Sequence, residues 1–316
     1  MAGLLLRRAG FSLLSLLLVS ACLFVLTRSI PDSPARIVLG QDATDAQVKR
    51  FEQDAGLDRP VAVQYGIWLG AIATRGDLGK SFVTGRPVGR EIARTLPVTL
   101  ELVTVAFFFA CALSLLAGTL AAQMRDTVVD YAIRFVAVLG VSVPGFWLAL
   151  LSILFLAVDL EWFPPGEVAP WSAGIAAHLN SIVLPTFCLG IFYMAALSRM
   201  TRSSLLDVLD QDYMRTARAT GLGRWKVLTY ALRNALVPVV TIAGMSFGYM
   251  FGWALIVEAV FNIAGLSRAL LTAIQQRDFA LVQGVVMVFT FVFILANLLA
   301  DLVNAWLDPR LAAVAA

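Results

Sequence analysis

Three patterns in this sequence hold residue types that could do covalent or energetic chemistry. The first is GMSFGYMFG (244–252), where Gly244-x-Ser246-x-Gly248 has the spacing of a nucleophile elbow. An elbow would support acyl transfer, as in an intramembrane serine protease, but needs a strand-to-helix turn and a histidine base. His178 is the sole histidine, and the run around Ser246 reads as mid-helix. Gly244, Gly248 and Gly252 recur every four residues, the small face by which membrane helices pack closely, and the spacing favours packing. The second pattern, Gly221-Leu222-Gly223-Arg224-Trp225-Lys226, lacks the GxxxxGK[ST] spacing of a phosphate loop, so the chain offers no ATP site. The third is the cysteine set, Cys22, Cys111 and Cys188. Each lies in an apolar run with no CxxC and no nearby histidine, which reads as buried, space-filling thiols and no metal site.

Four other polar groups fall in or near apolar runs: Glu101, Glu258, Asn297 and Asp301. Such groups are costly in lipid and are expected to face a bundle interior or a wet path. Glu101 and Glu258 fit a gate or a helix end at the interface equally well. Asp301, near the inner end of its run, could pair with a basic residue.

The most polar stretch is DVLDQDYMRTARATGLGRWKVL (207–228), where Arg215, Arg218, Arg224 and Lys226 stand against Asp207, Asp210 and Asp212. Asp212, Tyr213, Thr216, Ala217 and Thr220 follow helical spacing, and Gly221 stops the helix. Small residues at 216, 217, 219 and 220 give a face that another surface can approach. A second helix is expected over 224–234, leading into Pro238. By itself the stretch also fits a solvated hairpin.

The elements that position these groups are membrane helices. The 316 residues are 59% hydrophobic and only 14% charged, against about 25% in soluble domains. Apolar runs near twenty residues recur, giving six expected spans at 9–26, 98–122, 135–158, 182–197, 237–257 and 282–305. The first follows Arg7 and Arg8; Val19-Ser20-Ala21-Cys22 resembles a lipoprotein cleavage box, but the apolar run continues to Leu26, so an uncleaved anchor is expected. Pro144-Gly145 should bend the third span, and Trp162, Phe163 and Trp171 read as an aromatic belt. Lys and Arg cluster in alternate loops, and the 159–181 loop has none, which places both termini and the polar stretch in the cytoplasm. The segment 28–97 is then outside, with a helix over 44–55 capped by Thr44, an amphipathic run at 61–73 for the membrane surface or the core, and a turn-rich link at 76–82.

Arg215-Thr216-Ala217-x-x-x-Gly221 resembles the EAA-x-x-x-G signature of ABC importer permeases. More specifically, 211–241 is similar to the dipeptide, oligopeptide and nickel importer permease family, and the likeness covers nearly the whole chain. It includes PDSPARIVLG (31–40), GDLGKSF (76–82), TLPVTLEL (95–102), SVPGFWLALL (142–151), WFPPG (162–166), LSRMTRSSLLDVL (197–209), VEAVFNIAGLSRAL (257–270), RDFALVQGVV (277–286) and LDPRL (307–311). Arg215 and Thr216 replace the signature's Glu and first Ala, its later Leu-Pro falls on Arg233-Asn234 with a proline only at Pro238, and Pro31-Asp32-Ser33-Pro34 replaces Pro-Gly-Asp-Pro.

The resemblance implies an all-α integral membrane protein with six transmembrane helices in the type I ABC importer permease fold, of the first-permease type with a long outer loop. The order would be an inner N-terminus (1–8), first span (9–27), outer segment (28–97), five-helix importer core (98–305) with an inner coupling loop (199–236), and an inner tail (306–316). Asp212, Tyr213, Arg215, Thr216, Ala217, Arg218, Thr220 and Gly221 would form the helix that docks on an ATPase. The chain would bind no cofactor; ATP and Mg would sit on partners. Those partners would be a second homologous permease, two ABC ATPase subunits and an extracytoplasmic substrate-binding protein, in the bilayer of a bacterial inner membrane, with no nucleic acid. Peptides are the family's commonest cargo; nickel, glutathione, haem-like and sugar cargoes are the alternatives. A secondary transporter is the remote rival to import, since the sequence lacks the repeated halves and buried charges such carriers show.

Overall fold

The computed structural model describes residues 2–29, 34–40 and 42–307. The run Pro31-Asp32-Ser33 and the tail from 308, with Arg310, lie outside the described residues. The chain is helical: α1 (Ala2–Arg28), α2 (Pro34–Leu39), α3 (Asp45–Asp54), α4 (Val61–Arg75), α5 (Val88–Gln123), α6 (Val128–Ser142), α7 (Gly145–Ser152) with a π-helical turn (Ile153–Asp159), α8 (Ile175–Leu209), α9 (Asp212–Ala219), α10 (Arg224–Val260), α11 (Leu266–Gln275) and α12 (Phe279–Leu307). Among the described residues the sole strand-like pairing is one bridge, Lys80 to Pro87. Residues 10–28 of α1 together with α5, α8, α10 and α12 are each long and apolar enough to cross a membrane.

The third expected span is not one bent helix. α6 and α7 meet at 101°. Val143 is extended (φ −81°, ψ 126°), the conformation favoured before a proline, and Pro144 caps a new helix instead of bending the old one. The other helices outrun their expected ends. α8 contains Pro185 and α10 contains Pro238 without breaking. Each proline deletes one backbone bond, which packing neighbours compensate inside a membrane bundle. As a result only 210–223 separates α8 from α10, and the helix expected over 224–234 is the first part of α10.

The chain forms two compact units. One comprises Thr99–Ile263 and the part of α12 from Phe293. Its helices pack through small residues. An added Cβ at Gly118 would lie 2.6 Å from the Ser198 carbonyl of α8, and one at Gly190 would lie 3.0 Å from the Ala106 carbonyl of α5. Gly244 abuts Ala300 and Gly248 abuts the Phe293 ring, so these glycines seat α10 against α12. Gly252, third in the series, has open space. Of the cysteines only Cys188 is buried; Cys111 is half-buried and Cys22 exposed, because an apolar run in a membrane chain need not face its own core.

The other unit joins Ala9–Val98 to Ala264–Val292. Thr44 caps α3 in a reciprocal capping box with Gln47. α4 packs on α1: Tyr65 Oη lies 2.8 Å from Ser20 Oγ, and Phe24 meets the rings of Tyr65 and Trp68 at 5.5 and 5.6 Å. α4 buries none of its residues fully. The motifs at 76–82 and 277–286 converge as well. Asp278 is buried, accepts from Ser81 Oγ and from the Phe82 N–H at 3.3 Å, and its carboxylate also takes the Leu281 N–H at the start of α12. Gln283 Nε2 donates to Thr27 Oγ1 at 2.5 Å.

These close approaches give an expected outcome. Gly248→Val should cost about 1–3 kcal/mol by overpacking. Gly252→Ala should be neutral or slightly stabilising, since alanine favours helix and meets nothing there. Thermal melts of the two variants in mild detergent separate them.

Candidate functional site

α9 is a short polar helix held rigidly. Asp212 lies in its first turn and Arg218 in its last, each favourable to the helix dipole. Its one buried side chain is Met214, which enters an apolar cluster with Ala122 of α5, Leu205 of α8, and Val227, Ala231 and Ala235 of α10. The helix ends in a paired cap: Gly221 N–H reaches the Arg218 carbonyl at 3.1 Å, and Leu222 N–H reaches the Ala217 carbonyl at 3.4 Å. Gly221 takes φ +81°, which glycine adopts without strain, and Leu222 folds back onto the Met214 cluster. Tyr213 Oη accepts from Asn234 Nδ2 at 3.0 Å, and Arg218 Nη2 donates to the Leu209 carbonyl at 3.2 Å. Asp212, Arg215, Thr216 and Thr220 are exposed and Ala217 half-buried, so the expected small-residue face is available. Trp225, in the first turn of α10, is 80% exposed.

An ionic clamp that the sequence reading missed secures the helices beside this hairpin. Asp130 is fully buried at the start of α6 and receives Arg202 of α8 in a two-pronged contact, at 2.7 and 2.6 Å. Asp130 also accepts the Asp126 N–H at 3.1 Å, which fixes the turn between α5 and α6. The exposed pair Arg125–Asp210, at 3.4 Å, bridges that turn to the end of α8. The available signal was an aspartate two residues into an apolar run; the arginine 72 positions away carried none.

Glu101 and Glu258 each bind a neighbouring span. Glu101 Oε1 lies 2.8 Å from His178 Nε2, and His178 Nδ1 lies 2.6 Å from the Ala169 carbonyl. A carbonyl only accepts, so Nδ1 is the donor to Ala169, and Nε2 faces the Glu101 carboxylate. Trp171, expected in an aromatic belt, stacks on this buried imidazole at 3.9 Å. With both ring nitrogens taken, His178 is no base for Ser246, and no acyl-transfer dyad forms between them. Glu258 is fully buried and accepts from Thr99 Oγ1 at 2.5 Å. Its neighbourhood holds a second junction of motifs, where Phe261 and Asn262 bind the Glu167 N–H and carboxylate, both at 2.9 Å. Asn297 turns back to the Phe293 carbonyl of its own helix at 2.8 Å, and Asp301 is half-buried on α12.

Comparison with known proteins gives consistent results. Residues 114–313 match the family described as Binding-protein-dependent transport system inner membrane component, and residues 1–103 match the N-terminal part of such membrane components. A Brucella suis protein whose name places it in a peptide transport system as a permease is 39% identical over 311 residues, covering 98% of this chain and 99% of that protein. The glutathione transport system permease protein of Escherichia coli K12 is 37% identical over 298 residues, 94% of each chain. Among solved structures, the methionine ABC transporter in an inward-facing conformation superposes with a TM-score of 0.52 at 19% identity, over 69% of this chain and 96% of that one. An amino acid ABC transporter superposes with a TM-score of 0.51 at 16% identity, over 68% and 94%. These superpositions establish the fold alone.

The Asp130–Arg202 clamp sets a measurable expectation. Asp130→Ala and Arg202→Ala should each cost about 1.5–3 kcal/mol, the range for charged hydrogen bonds. The double variant should cost clearly less than the sum, because either change alone strands the partner. Detergent-phase unfolding of the four proteins gives the coupling energy.

Proposed function

The chain belongs to the binding-protein-dependent transport system inner membrane component family, and from that premise we propose that it imports di- and oligopeptides. It is a permease subunit of an ABC importer and a multi-pass membrane protein. Members of this family carry no ATPase site and bind no cofactor; they assemble with ATPases, which hydrolyse the ATP, and with a binding protein. The observation that carries the cargo assignment is full-length similarity to a peptide permease. The glutathione permease relative fits the same class, since glutathione is itself a peptide. The chain would form half of a pore with a second, homologous permease, with both termini cytoplasmic and 28–97 outside.

α9 would be the coupling helix. Docked in a groove of an ATPase, it would move when ATP closes the two ATPase subunits. Met214 and Leu222 tie it to α5, α8 and α10, so a displacement would pass to three spans as a rigid-body push. A gradient-driven carrier has no use for such a part. Glu101 and Glu258 are gate candidates, and each hydrogen-bonds across to another helix.

Two measurements test this. The chain purified gently from its native membrane should carry a second permease, two ATPase chains and a binding protein, and deleting it should abolish uptake of labelled dipeptides; a chain that emerges alone and transports on an ion gradient overturns the proposal. Ala217→Trp should abolish ATPase co-purification while leaving the chain folded. Gly221→Asn should be mild and Gly221→Val severe, because a β-branched residue at positive φ costs at least about 1–2 kcal/mol.

A further inference from the structure

The break between α6 and α7 leaves backbone bare inside a span. Pro144 has no N–H for the Gly140 carbonyl. The Leu139 carbonyl is met by the Val143 N–H at 3.0 Å, but among the described residues no donor meets the carbonyls of Gly140, Val141 and Ser142. α6 has 15 residues, so it extends about 22 Å, short of a hydrocarbon core of about 30 Å. With the start of α6 at one membrane boundary, the bare carbonyls would fall within the core, where lipid offers no donor. Irregular backbone persists there only against protein or beside water. Ser142 and Pro144 are nevertheless exposed on this chain. Such a face would suit water or protein better than lipid.

A cavity of about 120 Å3 opens at the same place, walled by Val143, Pro144, Phe192, Tyr193 and Trp253, with Val141 and Ser142 also lining it. Phe192 and Trp253 stack with ring centres 5.5 Å apart and make an apolar wall. Tyr193 is 4% exposed, and its hydroxyl has no hydrogen-bond partner. A buried hydroxyl without a partner is costly unless a guest supplies one. The space holds one side chain or about four waters.

We propose that this face lines the water-filled cargo path, and that the cavity is a subsite for a peptide bearing an apolar side chain. The side chain lies against Phe192 and Trp253. The peptide's N–H groups donate to the bare carbonyls of Val141 and Ser142, which line the cavity, and a peptide carbonyl accepts from the Tyr193 hydroxyl. The choice of cargo rests on the import function proposed for the chain; the contact with water does not.

The test uses the complete transporter in proteoliposomes, with Cys22, Cys111 and Cys188 replaced by alanine. Ser142→Cys is compared with Phe135→Cys, an apolar position 65% exposed on the same helix. A negatively charged methanethiosulfonate should modify Ser142→Cys at least about tenfold faster, since the thiolate it requires forms only where water reaches. With ATP and binding protein present, dileucine should slow that reaction more than diglycine does. Trp253→Ala should lower dileucine import relative to diglycine import. Equal reactivity at the two positions overturns the pore-facing assignment. Fast labelling that no dipeptide slows, or equal loss of both cargoes in Trp253→Ala, overturns the subsite and leaves a wet crevice only. If the parent imports no peptide, the cargo assignment fails, while the labelling, which needs no cargo, still decides the face.

Discussion

A peptide group in hydrocarbon has no water to bond, and most of this structure follows from that constraint. It explains why α5, α8, α10 and α12 are unbroken helices of 29 to 37 residues that run past their apolar runs. It also explains why three interior prolines are absorbed without a break, at Pro97, Pro185 and Pro238. Each removes a single bond in a helix whose other carbonyls stay paired. Pro144 differs because the residue before it has left the helix, which strips donors from three carbonyls at once. That site carries a cavity and a buried tyrosine hydroxyl.

The second physical theme is stiffness between the polar hairpin and the spans. Apolar burial at Met214 holds α9 to three helices, and the Asp130–Arg202 clamp holds α6 to α8 nearby. Together they remove the hinge that an exposed eight-residue helix on a short connection would otherwise have. The glycine contacts of α8 and α10 serve the same end, since helices in direct backbone contact slide less than helices separated by long side chains.

Several polar groups within the bundle are paired locally and not gathered into one site. Glu101 goes to His178, Glu258 to Thr99, and Asn304 to Thr241. Each pair joins two helices, as expected where an unpaired charge is costly. None forms a nucleophile–base pair. Ser246 lies between two packing glycines, and His178 is fully engaged elsewhere.

The sequence by itself determined the class of the protein, the approximate spans, the helix capped by Thr44 (expected over 44–55, found over 45–54), and the short polar helix with its glycine stop. All depend on local signals: apolar run length, helical spacing, a capping threonine, a residue suited to positive φ. Only the tertiary structure decided the rest. That Pro144 breaks its helix while Pro185 does not depends on what packs around each, which no local pattern encodes. That Asp130 meets Arg202, that Glu101 meets His178, and that Asp278 unites two distant motifs depends on helices separated by dozens of residues coming into register. A side chain's type says that it needs a partner. Only the packing of the helices says which one is within reach.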